Sequence, residues 1–89
     1  MAWSVELSQT ADRELSKLDA QHAKRILKFL QERVAKSDGP RSLGEPLHGS
    51  RLGEFWKYRV GDYRLVCSIE DNRLLVLVLR LGHRREIYR

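Results

Sequence analysis

The sequence has a single cysteine, Cys67, so no internal disulfide can form, which fits a reducing compartment. Cys67 lies in an apolar, strand-like run and reads as a small core residue, not a nucleophile. Long hydrophobic runs are missing: the longest, Leu74 to Leu79, is far too short to cross a bilayer. The opening MAWSVELSQ lacks the basic-then-apolar pattern of a secretory signal. A cytoplasmic protein with no membrane partner is therefore expected. The three histidines are scattered and the acids fall in turns or on helices. Metal-assisted hydrolysis needs such groups to converge, so no metal or other cofactor is expected. A glycine-rich phosphate loop, a serine elbow and a cysteine–histidine pair are likewise absent. There is no internal repeat and no low-complexity tract.

What the chain does have is positive charge. Its 89 residues make one domain, 1–89, with a thin core; 17 Lys+Arg against 12 Asp+Glu give a net charge of +5. A hydrophobic share of 42% with 33% charged residues is globular and well solvated. A basic domain of this size favours a polyanionic partner, which charge alone leaves open among nucleic acid, an acidic protein and a membrane surface.

Trp3 to Leu7 alternates apolar and polar residues and predicts a short strand. Ser8 or Thr10 can cap a short helix bearing Ala11, Leu15 and Leu18 on one side. Asp19 caps a longer one, whose apolar stripe is Ala23, Ile26, Leu27, Leu30 and Val34. Its other face carries Lys24, Arg25, Lys28, Arg33 and Lys36, read as a solvated face, with a contact to ribosomal RNA as the alternative. Gly39-Pro40 ends it. Residues 38–53 hold four of the six glycines and both prolines and read as a loop, His48 being exposed within it. Three strands follow, Phe55 to Val60, Tyr63 to Ile69 and Leu74 to Leu81. The order β-α-α-β-β-β predicts an α+β domain, a helical hairpin packed on one face of a small, largely antiparallel sheet.

Gly61-Asp62 is a two-residue hairpin turn, and it sets the register: Val60 faces Tyr63, Arg59 faces Arg64 and Tyr58 faces Leu65. Lys57 shares the arginines' face. Trp56, Tyr58, Tyr63, Leu65, Cys67 and Ile69 point to the other face, under the helices. Like charges directly opposite each other cost a share of the roughly 0.2–1 kcal/mol typical of cross-strand pairs. A chain selected for folding alone would place a carboxylate there, and the nearest acid, Asp62, belongs to the turn. The cluster reads as a phosphate site, or else as arginines that merely snorkel. Arg80 and Arg84 join this face if the next turn has three residues, Asp71 to Arg73. A two-residue turn would instead put Arg64 on the face of Leu79. The three-residue turn is preferred because it keeps Arg80 off the core.

RNA carries its own nucleophile, the 2′-OH, and its cleavage needs a base, donors for the phosphorane charge and an acid for the leaving oxygen. The like charges of Arg59 and Arg64 disfavour the ammonium form of Lys57, the candidate base. The arginines can grip phosphate bidentately. Arg84 is suited to charge stabilisation, and an imidazole such as His83 is the better proton donor. Tyr88 can stack on a base or orient the nucleophile. For His83 and Tyr88, strand-end packing is the competing reading. Arg80 and Arg85 complete the set of phosphate contacts.

WKYRVGDYRLVC (56–67) followed by LGHRREIYR (81–89) resembles the RelE/ParE superfamily of type II toxin–antitoxin toxins, and the likeness spans nearly the whole chain. The resemblance implies a metal-independent endoribonuclease that cuts mRNA in the ribosomal A site. It also implies a small acidic, RelB-like antitoxin that masks the basic surface, with operator DNA contacted only through their complex. By position, Lys57 and Arg59 match the basic pair before the hairpin and Arg64 the phosphate-binding arginine. Arg84 matches the arginine after the strand-end glycine, and Tyr88 the terminal tyrosine. Arg59 stands where RelE-like enzymes can carry lysine, His83 precedes Arg84, and Tyr88 is penultimate where some members continue into a helix. The rival within the superfamily is a ParE-like DNA gyrase inhibitor. Outside it stand a non-catalytic RNA- or ribosome-binding module and an inert relative kept by its antitoxin.

Overall fold

The computed structural model describes residues 2–47 and 55–87. The alternation at the start of the chain becomes β1 (Ser4–Leu7). Ser8, of the two candidate caps, opens the first helix: its hydroxyl accepts from the Ala11 N–H at 3.0 Å, and α1 spans Gln9–Ser16. The Asp19 carboxylate accepts from the His22 N–H at 3.1 Å and opens α2 (Ala20–Phe29). α2 continues through one wider turn, Leu30–Val34, where the Ala35 N–H donates to Leu30 O at 2.9 Å. Ile26, Leu30 and Val34 are buried along this stripe. Leu27, expected among them, is 36% exposed.

The expected loop over 38–53 needs correction. It contains a 3₁₀ turn, Pro40–Leu43, and a two-residue strand, β2 (Glu45–Pro46). Proline lacks an N–H, and Pro46 is tolerated on this outermost strand because its neighbour Leu47 makes the bond, donating to Phe55 O at 3.0 Å. The turn is pinned to the strand beside it. Tyr58 Oη donates to Pro40 O at 2.7 Å, and Trp56 Nε1 donates to Arg41 O at 3.0 Å. Arg41 grips Asp71 with both terminal nitrogens, at 2.8 and 2.9 Å. Gly44 then passes so close to the strand that a Cβ would collide with Lys57 O. His48 lies outside the described residues.

The remaining strands are β3 (Phe55–Val60), β4 (Tyr63–Glu70) and β5 (Leu75–His83). Among the described residues the sheet has five strands, one more than expected, in the order β1-β5-β4-β3-β2, with β1 parallel to β5 and the other pairs antiparallel. Tyr58, Leu65, Cys67, Val76, Val78 and Leu81 form the core with Ala11, Leu15, Ile26, Leu30 and Val34, the alternation predicting this for the three residues of β3 and β4. Trp56, Tyr63 and Ile69 pack partly buried against it. Burial pushes the Cys67 thiol up to about 12, so it stays an uncharged core group at neutral pH.

The second turn differs from both expected lengths. Glu70 pairs with Leu75, so Asp71 to Leu74 make a four-residue connection, closed by Leu74 in the left-handed region at φ 48°. Left uncorrected, that length would put Arg80 on the core side. A β-bulge restores the parity: Cys67 pairs with Val78 and Val66 with Arg80, so Leu79 has no partner on β4. The carbonyl of Leu79 accepts from the Ser8 hydroxyl at 2.9 Å. The residue that caps α1 thus also satisfies the extra residue of β5.

Candidate nucleic-acid interface

The hairpin register is the one expected: Val60 faces Tyr63, Arg59 faces Arg64, Tyr58 faces Leu65 and Lys57 faces Val66. The face away from the helices therefore carries two rows across three strands, Lys57–Val66–Arg80 and Arg59–Arg64–Gly82. Lys57, Arg59 and Arg64 line one open concavity of about 710 Å³, walled by Ser42, Gly44 and Glu45 of the pinned turn.

These cations differ in what holds them. Arg64 Nη1 donates to Gly61 O and Tyr63 O, both at 3.0 Å, so its guanidinium lies over the hairpin turn. Lys57 Nζ stands 3.3 Å from Glu45 Oε1. Arg59 makes no ion pair or side-chain hydrogen bond among the described residues. The presence of Glu45 corrects the expectation that Asp62 is the nearest acid. No periodicity could have placed it there, because a two-residue strand has none.

The other predicted residues separate. Arg84 sits over the hairpin turn, its N–H donating to Asp62 O at 2.8 Å and its Nε 3.9 Å from Asp62 Oδ1. Arg80 belongs to the face by register, but its guanidinium is turned to Glu14 of α1, with contacts of 3.0–3.2 Å. His83 is a correction to the expected cluster. It pairs with Tyr63, so parity places it on the helix side, its ring 5.8 Å from that of Tyr63. Its Nδ1 accepts from the Arg85 N–H at 3.2 Å. Arg85 itself is exposed beyond β5 and lines none of this concavity. Tyr88 lies outside the described residues.

Glu14 also accepts from the Leu81 N–H at 3.0 Å, occupying the edge of β5 beyond the end of β1. Burial alone would raise its carboxyl, but the Arg80 and Leu81 hydrogen bonds and the nearby positive charge outweigh that and hold it below its ordinary 4.5. A depressed carboxylate stabilises the fold above its unfolded pKa, and this contribution is lost as pH falls through the folded one. Wild type should therefore be more stable than Glu14→Gln near neutrality, and the gap should close as the buffer is taken below 4.5. Urea titrations across that range test it; a gap that stays constant into acid would contradict the assignment.

A helical hairpin under one face of a mixed sheet, with clustered cations on the other, defines a small basic α+β domain equipped to meet a polyanion. Residues 5–88 match the family described as ParE toxin of type II toxin-antitoxin system, parDE. The chain is 34% identical to Toxin RelG of Mycobacterium tuberculosis over 89 residues, covering all of this chain and 99% of that protein. It is 30% identical to Toxin RelE of the same organism over 87 residues, 98% and 87% of the two chains. Among solved structures, a chain of the M. tuberculosis toxin–antitoxin complex RelBE2 superposes with a TM-score of 0.84 at 30% identity, covering 94% of this chain and 100% of that one. A double arginine-to-alanine mutant of E. coli toxin RelE in the free state gives 0.76 at 26% identity, covering 99% and 90%. The chain belongs to the RelE/ParE superfamily of type II toxins. Among the described residues no helix is long and apolar enough to cross a membrane.

Proposed function

We propose that this toxin is an endoribonuclease that cuts mRNA in the ribosomal A site by 2′-OH attack and is neutralised by a cognate acidic, RelB-like antitoxin. The observation that carries the reading is the direct opposition of Arg59 and Arg64 with Lys57 beside them. The fold gains nothing from that pairing, whereas a scissile phosphate would.

In this reading Lys57, once Glu45 gives way to substrate, takes the 2′-OH proton. Arg59 and Arg64 hold the charge that develops on the phosphorane oxygens, and the 2′,3′-cyclic phosphate forms as the P–O5′ bond breaks and the 5′-oxygen leaves with a proton from solvent. Arg84, across the hairpin turn, grips the strand on the leaving-group side. His83 has no part in it, since the sheet stands between its ring and the cluster. RelB-type partnership is supported by the M. tuberculosis relative, which was solved as a toxin–antitoxin complex.

The match to the ParE toxin family favours one other reading, inhibition of DNA gyrase. Controlled expression with mapping of mRNA 5′ ends, alongside a gyrase supercoiling assay, separates the two. Cleavage within codons and untouched supercoiling are expected. Intact mRNA with inhibited supercoiling would replace the nuclease with the gyrase poison.

A further inference from the structure

Arg84 follows the last residue of β5, beyond the pairing of the sheet, so its backbone is held by other means. Two hydrogen bonds do this. Its own N–H, which belongs to the peptide unit before it, donates to Asp62 O at 2.8 Å. The N–H of Arg85, in the peptide unit after it, donates to Nδ1 of His83 at 3.2 Å. Peptide units are planar, so fixing the one on each side leaves φ and ψ of Arg84 little freedom. Its side chain then starts in one direction, which brings Nε to 3.9 Å from Asp62 Oδ1 over the hairpin.

One of these two anchors is an imidazole in the place of a turn cap. The carbonyl of His83 accepts from the N–H groups of Glu86 and Ile87 at 2.8 and 3.0 Å, while its side chain accepts from Arg85. Asparagine, aspartate and serine ordinarily fill such a position, because a short side chain with an acceptor reaches the N–H two residues on. Nδ1 of histidine stands at the same place along the side chain as Oδ1 of asparagine. The ring adds a means of aiming it. It meets Tyr63 edge-on with centroids 5.8 Å apart, and Tyr63 in turn meets His22 of α2 at 4.9 Å. The helix layer thus keeps Nδ1 directed at the turn. Ile87, buried beside Gly82, ties down the turn's far end.

We propose that His83 is the positioning residue for Arg84: by accepting the Arg85 N–H it holds the terminal turn in the form that presents the Arg84 guanidinium to RNA phosphate. The inference rests on the grip assigned to Arg84 above. The ring itself does no chemistry, because the sheet separates it from the cationic cluster, and its effect passes through the backbone. What matters is the acceptor, not the capacity of an imidazole to carry a proton.

The test compares His83→Ala, His83→Phe and His83→Asn, each alone and combined with Arg84→Ala. Two quantities are read: mRNA cleavage on ribosomes, and the Kd of a 2′-deoxy oligonucleotide, which lacks the nucleophile and binds uncut. Loss of the acceptor in the Ala and Phe variants should lower cleavage about tenfold and raise Kd about threefold, a fraction of the roughly hundredfold that an ångström of misplacement can cost. Asparagine has neither the ring nor a transferable proton, yet it should recover both quantities to within about threefold of wild type. In the Arg84→Ala background, His83→Ala should alter neither by more than about twofold, since the two residues act through one contact.

Equal losses in both backgrounds would make His83 merely structural and overturn the proposal. So would an Asn variant as impaired as Ala, which would make the imidazole a proton donor, or a fully active Phe variant, which would reduce the side chain to packing. Intact mRNA with wild-type protein would remove the nuclease reading alone, because the Kd pattern across the same variants still confirms or overturns the positioning role.

Discussion

Arg64→Ala is expected to lower mRNA cleavage by about a hundredfold or more, the loss typical when a preorganised donor to a developing oxyanion is removed. Arg64 lies on the middle strand of the cationic face, directly opposite Arg59, with its guanidinium steered over the hairpin by Gly61 O and Tyr63 O. That steering costs no reorganisation when substrate arrives. The two hydrogen bonds are made on an accessible turn, so thermal unfolding should change little. Arg64→Lys keeps the charge but loses the planar fork, and should recover only part of the activity. Primer-extension mapping of mRNA 5′ ends after matched induction gives the readout. Cleavage within a few-fold of wild type in Arg64→Ala would remove this residue from the site.

Leu65→Ala should have the largest effect on stability. Leu65 is fully buried on the central strand, between Tyr58 on β3 and Leu81 on β5. Truncation there removes apolar contacts and leaves a cavity, at a cost of about 2–5 kcal/mol. Total stabilities run to roughly 5–15 kcal/mol, and a thin core belongs near the low end, so the variant should be close to unfolding at physiological temperature. Urea denaturation followed by circular dichroism measures it. A loss under about 1 kcal/mol would mean that the core repacks around the vacancy.

The two effects come from adjacent residues on opposite faces of one strand, and this is where sequence is most informative. A two-residue turn admits one register. Gly61-Asp62 therefore orders Lys57, Arg59 and Arg64 on one side and Tyr58, Leu65 and Cys67 on the other without reference to any distant contact. The caps Ser8 and Asp19 act over three residues and are equally local. The family resemblance reached further, to the toxin class that the relatives establish.

Residues whose position depends on distant parts of the chain were not legible in the same way. Arg80 faces the cationic side, yet not through the three-residue turn that periodicity favours. A four-residue connection displaces it, and a bulge at Leu79, held by a hydroxyl from the far end of the chain, returns it. Glu45 reaches Lys57 only because Arg41, Trp56 and Tyr58 pin the 3₁₀ turn that precedes it. His83 leaves the cluster for the same kind of reason: the bulge sets its parity, and packing against Tyr63 confirms its side.

The sequence by itself determined the α+β class, the hairpin register and the opposed cations, because each follows from period, cap or turn chemistry within a few residues. Tertiary structure decided which acids answer those cations and which face receives Arg80 and His83. Those outcomes depend on contacts between residues 12 to 71 positions apart, and no local pattern encodes them.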